Sequence, residues 1–118
     1  MDQASLHQQL QRIRIRERSW LARIAASKLR SSGAALVWGR TVHLHRITAI
    51  QFLSNQRLLL HELCHVRQYQ RYGFIGFLAR YLWLSIRYGY YNNPLEVEAR
   101  AAEEEEIEVS GEGIMNNE

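Results

Sequence analysis

One stretch constrains this chain more than any other: Leu58-Leu-Leu-His-Glu-Leu-Cys-His-Val-Arg-Gln-Tyr69. It contains H-E-x-x-H as His61, Glu62 and His65. Residues four apart on an α-helix stand on one face, one turn apart, so the two imidazoles can reach a single point. Histidine nitrogens hold a zinc ion at about 2.0–2.1 Å, and two of them supply half of a tetrahedral shell. Glu62 lies about 100° further round the helix, within reach of a water beside such an ion. The pattern therefore demands a helix here, and it offers a metal pair with a proton-accepting carboxylate next to it. The competing reading is two solvated histidines beside an ordinary charge.

The flanking residues favour the helix. Ser54 or Asn55 is suited to its N-cap, Gly73 to its stop, and the helix is predicted to end near Tyr72. Leu59, Leu63, Val66 and Tyr69 recur at helical spacing and form its buried side. A second helix is expected over residues 74–88, with Phe74, Phe77, Leu78, Tyr81, Leu82 and Ser85 on one packing stripe. After a loop at residues 89–93, Asn93 as N-cap, Pro94 at N1 and Glu96 at N3 open a third helix that can run to residues 103–106.

Upstream, residues 3–31 read as mainly helical. Trp20 with Ile24, and Leu21 with Ala25 and Leu29, form apolar stripes, and Gly33 is a stop. The alternation Arg12-Ile-Arg-Ile-Arg16 is compatible with a strand, but its neighbours and propensity favour helix. Residues 35–38 and 41–45 flank Gly39-Arg40 as a β-hairpin with glycine first in the turn. On the second strand Val42 and Leu44 share one face; Thr41, His43 and His45 share the other.

Length and composition limit what this site belongs to. At 118 residues, 47 % of them hydrophobic and 23 % charged, the chain suits one globular core. The apolar run over residues 74–91 is broken by Arg80 and Arg87 and reads as a core helix, not a transmembrane one. With no signal-like start and a single cysteine, Cys64, a cytoplasmic setting is expected, and Cys64 is expected to pack within its helix. The net charge of +3 is unevenly placed: residues 1–95 carry +11 and residues 96–118 carry −8. The basic body could attract nucleic acid, but its arginines are dispersed and no nucleic-acid motif is present, so neutralisation by the acidic end is the favoured reading.

A hydrolytic zinc site needs a third protein ligand. Glu96, Glu98, His43 and His45 are the candidates. Glu96 opens a helix, where a carboxylate is favoured, although it could instead close a capping box with Asn93. Glu98 stands about 200° round the same helix, so both glutamates cannot face the ion.

His61-Glu-Leu-Cys-His65 followed by Asn93-Pro-Leu-Glu-Val-Glu-Ala-Arg100 resembles a minimal gluzincin, the zinc metallopeptidase type with glutamate as third ligand, and is similar to the small minigluzincin or zincin-like proteins. The resemblance covers roughly residues 17–105. It implies a single α+β domain, taken as residues 1–110, with a small antiparallel sheet on the motif helix and a glutamate helix after it; residues 111–118 carry no packing signal and are expected to form a flexible acidic tail. It implies Glu96, in register with Ala99, as third ligand ahead of Glu98. Where larger relatives carry an aspartate supporting a zinc-bound histidine, this chain has Arg100, and Glu103 or a backbone carbonyl is the candidate replacement. It also implies that residues 41–46 are a sheet-edge strand that aligns the substrate.

The expected activity is hydrolysis of peptide bonds in a peptide or protein substrate, with one zinc ion bound and Glu62 as general base and acid. Tyr88, Tyr90 and Tyr91 are candidates to stabilise the oxyanion. The alternative is a zinc-binding interaction module with weak or no proteolysis.

Overall fold

A computed structural model describes residues 2–29 and 34–105. Its α+β architecture comprises α1 (Gln3–Arg12), β1 (Arg14–Arg16), α2 (Trp20–Leu29), β2 (Ala34–Trp38), β3 (Thr41–His45), α3 (Ala49–Ser54), α4 (Gln56–Tyr72), α5 (Phe74–Asn92) and α6 (Pro94–Ala102). The expected Gly33 stop, residue 106 and the tail at 111–118 fall outside the described residues.

The hairpin forms as expected. Gly39 has φ +68°, which fits the first position of a type II′ turn, where an L side chain would be strained. The sheet around it differs from expectation in two ways. Residues 14–16 are strand, not helix: Asp2 caps α1 through Ser5 N–H, but the helix ends at Arg12. Beyond it, the Arg14 N–H donates to the Arg40 carbonyl at 2.9 Å, and β1 pairs in parallel with β3, Ile15 opposite Val42. Tertiary pairing supplies backbone partners that the local propensity could not anticipate. The sheet is consequently mixed, in the order β1-β3-β2, and β3 is its centre. Residues 41–45 therefore offer no free edge to a substrate; the edges are β1 and β2.

Both faces of β3 are covered. Val42 and Leu44 enter the main core with Phe52, Leu59, Leu63, Val66, Tyr69, Phe77 and Leu95. On the other face the buried His43 Nδ1 lies 2.8 Å from the hydroxyl of Ser19, at the entry to α2, and burial lowers the pKa of that imidazole. The expected Trp20–Ile24 stripe of α2 points outward, 63 % and 47 % exposed, and Ala22 is buried instead.

Helix α4 follows its sequence signals. Asn55 caps it by accepting from Leu58 N–H, Leu59, Leu63, Val66 and Tyr69 are buried, and Gly73 ends it. Its predecessor α3 was not anticipated, although Thr48 and Gln51 form a full capping box, a signal present in the sequence. Helix α5 breaks at Gly89, with φ +80° and ψ 168°, where the loop was expected. Phe77 faces the core, but Leu82, expected on the same stripe, is 63 % exposed.

The turn into α6 is held by a fully buried Asn93. Its Oδ1 accepts from Leu95 N–H at 2.9 Å, and its Nδ2 donates to the Tyr81 carbonyl and the Ser85 hydroxyl at 3.1 and 2.9 Å. One side chain thus caps α6 and clamps it to α5. Asn93→Ala removes the cap and leaves the Tyr81 carbonyl and the half-buried Ser85 hydroxyl without the amide, so urea denaturation should show a loss of about 1–3 kcal/mol.

Candidate metal centre

His61 and His65 lie on the face of α4 that meets α6, and Glu96 occupies the first turn of α6 opposite them. A ligand atom from each of the three lies within 4.8 Å of the others, a group that could hold a metal ion. Nε2 of His61 is 3.2 Å from one Glu96 carboxylate oxygen, and Nε2 of His65 is 3.2 Å from the other. Glu96 is 3 % exposed and His65 6 %, so the cluster sits in the packing layer between the helices.

The remaining ring nitrogens settle the chemistry of this group. Gln68 donates through Nε2 to the Leu95 carbonyl at 3.0 Å and to Glu98 Oε1 at 2.7 Å, which leaves its Oε1 as an acceptor. That oxygen is 2.9 Å from His65 Nδ1, so this nitrogen carries the proton. His61 Nδ1 is 2.7 Å from the Glu103 carboxylate and donates to it in the same way. With both Nδ1 positions protonated, a neutral ring presents its Nε2 lone pair to the Glu96 carboxylate and a charged ring donates to it. Two lone pairs and an anion facing one another are stable only with a cation or protons between them. The donor set therefore fits a divalent metal, and its nitrogen and carboxylate composition is one that zinc accepts.

The ionisation behaviour reflects the same demand for positive charge. Burial disfavours the charged form of His61, yet the Glu96 hydrogen bond and the Glu62 and Glu103 carboxylates outweigh it and raise the pKa to about 9. Burial likewise opposes ionisation of Glu96, but the hydrogen bonds from His61 and His65 hold it well below the usual carboxylate range. Glu62, 5 % exposed and beside the pair, is different. Burial dominates, the nearby imidazoles offset it only in part, and its pKa rises to about 7.

Of the sequence candidates for a third ligand, Glu96 joins the pair and the others do not. Glu98 faces away, accepting from Gln68 and pairing with Arg71 at 3.3 Å. His43 is occupied by Ser19 on the far side of the sheet, and neither it nor His45 belongs to the group. No capping box competes for Glu96. Its second oxygen instead accepts a hydrogen bond from the Tyr81 hydroxyl. Arg100 lies over the Tyr91 ring, 3.9 Å from its centroid, and Glu103 takes the supporting position beside His61.

The three candidate tyrosines separate. Tyr88 accepts from Arg87, and Tyr91 is engaged by Arg100. For Tyr90, burial and then the Glu96 and Glu62 charges push the phenol up to about 12. Tyr81 and Gln68 were missed as site residues, because helical periodicity marks Tyr81 as core and Gln68 as an ordinary polar position. The spacing of Gln68, three after His65, was the one available signal. Cys64 is buried, and burial raises its thiol pKa, which fits a packing role.

Substitutions separate these roles. Glu96→Gln should abolish high-affinity binding of a divalent ion, while Glu98→Gln should leave the stoichiometry intact. Glu103→Gln and Gln68→Leu each release one imidazole and should weaken binding about 10- to 100-fold, read by competition with a chelating dye.

Among known proteins, no curated sequence and no solved structure is significantly similar to this chain. A family model does match. It describes the eCIS core domain and aligns with residues 2–73, from α1 through the end of α4 and including His61, Glu62 and His65. The match spans more than half of the chain, which therefore belongs to the eCIS core domain family.

Proposed function

We propose that this protein is a zinc metallopeptidase of gluzincin type. The observation that carries this reading is the convergence of His61 Nε2, His65 Nε2 and the Glu96 carboxylate on one point, with the Glu62 carboxyl beside it. The family supports it more broadly, being associated with metallopeptidase-like effectors and with the cores of extracellular contractile injection systems.

In this reading His61, His65 and Glu96 hold the ion, and Gln68 and Glu103 fix the two rings. When bound, zinc supplies Lewis acidity that polarises a carbonyl and makes a nearby water acidic. Glu62 does the proton work. Its burial favours the protonated form, so this carboxyl is suited to accept a proton from water and to return it to the leaving amine. Tyr90 is the candidate donor to an oxyanion, since Tyr88 is engaged by Arg87 and Tyr91 by Arg100. Tyr81 steadies the Glu96 ligand.

A second reading has its own observation. Glu62, His65 and Glu96 are between 3 % and 6 % exposed, which leaves a substrate little access to them. A zinc-binding module that acts through partner contact would be built this way.

Comparing wild type with Glu62→Gln decides between them. The metallopeptidase reading expects equal zinc content by elemental analysis and a fall in casein cleavage of about 100-fold or more. Stoichiometric zinc without cleavage of casein or unfolded proteins by wild type would favour the contact module. Equal cleavage by both proteins would remove Glu62 as the base.

A further inference from the structure

We propose that the outward ridge of α5 is a docking surface for an anionic lipid bilayer. Residues on a helix advance by about 100°, so Ile75, Ala79, Leu82, Trp83 and Ile86 share one arc roughly 100° wide. The core-facing side, with Phe77 at 4 % exposure, lies opposite. On the ridge, Ile75 is 73 % exposed, Leu82 63 %, Trp83 60 % and Ile86 71 %. The helix is thus apolar on the side it buries and equally apolar on the side it shows to solvent, and contiguous exposed patches of this kind mark interaction sites.

The charges name the partner. Between residues 74 and 92 there is no aspartate or glutamate, and the two ionised side chains are Arg80 and Arg87. Seven residues apart, they line one border of the ridge. The Arg80 guanidinium is anchored there, 4.4 Å above the Tyr72 ring centroid and donating to the Gly76 carbonyl. Long basic side chains at the border of an apolar face can reach lipid phosphates while their neighbours enter the acyl region, and Trp83 and Tyr91, 68 % exposed, suit the boundary between the two. Glu98, on the adjoining helix, is already engaged by Arg71 and Gln68. Pairing of two copies through this ridge would bring four arginines together with no acid on the helix to compensate. A fluid bilayer conforms to an exposed helix face without needing a matched groove. No helix among the described residues is long and apolar enough to cross a membrane, so the helix lies on the surface and does not span it.

The test is cosedimentation of the whole 118-residue chain with vesicles of phosphatidylcholine alone, or of phosphatidylcholine with a minority of phosphatidylglycerol. Wild type should partition onto the anionic vesicles about tenfold or more in preference to the neutral ones. Leu82→Gln with Ile86→Gln should reduce that partitioning by about tenfold or more without adding charge, and Arg80→Gln with Arg87→Gln should remove the preference for anionic lipid. Both pairs are exposed, and unchanged circular dichroism and urea midpoints verify folding. Absence of partitioning overturns the proposal. So does undiminished partitioning of the Leu82/Ile86 pair, which would place adsorption elsewhere on the basic body. A dimer that forms without lipid and is broken by the same pair would assign the ridge to a second copy and overturn the proposal as well.

Discussion

The interaction on which this molecule depends is a carboxylate held between two imidazoles inside a helix–helix interface. Moving an ionised carboxylate out of water costs several kcal/mol unless partners replace the lost hydration. Glu96 recovers that cost from His61 and His65 on α4 and from Tyr81 on α5. Three helices must be in register for all of these contacts to exist at once. The arrangement is therefore a constraint on tertiary structure as much as a ligand set, and it is completed only by positive charge at the point where the two Nε2 atoms meet the carboxylate.

Two further side chains convert that constraint into rigidity. Gln68 reaches from α4 to the Leu95 carbonyl and Glu98 on α6 while orienting His65. Asn93 caps α6 and ties it to α5. Each satisfies several buried polar groups with one amide, and a fully satisfied buried network specifies a unique arrangement where apolar packing alone would tolerate sliding. Glu103 completes the set from the end of α6, and Arg57 pairs with it at 3.2 Å across the same helix pair.

The family boundary falls within this construction. The eCIS core match closes at Gly73, so it contains the two histidines and Glu62 but not Glu96, Tyr81 or Glu103. The site is assembled from the matched segment and from the α5–α6 hairpin that follows it. That hairpin also carries the apolar ridge, so one helix, α5, supports the His61–His65–Glu96 cluster with Tyr81 and faces the surroundings with Trp83 and Ile86.

How far the residues alone could carry the reading depends on whether each signal was local. The caps at Asn55 and Asn93, the stop at Gly73, the Gly39 turn and the histidine pair one helical turn apart all act within a few residues, and they were legible. Thr48 and Gln51 were equally local and were passed over. What depended on distant partners was not legible. Arg14–Arg16 became a strand because β3 offered it parallel hydrogen bonds, and the same pairing moved β3 from the edge to the centre of the sheet. Leu82 and Trp20 satisfied an apolar spacing yet face outward, since periodicity identifies a stripe but not what lies against it. Glu96 and Glu98 carry the same side chain two residues apart, and only the resemblance, through the register of Glu96 with Ala99, put Glu96 ahead. The docking angle of α6 on α4 turned one toward the histidines and the other toward Gln68 and Arg71. The sequence by itself determined a helix bearing two convergent imidazoles and a capped helix bearing carboxylates; only the tertiary structure decided which carboxylate they share, because that choice rests on contacts across residues distant in the chain.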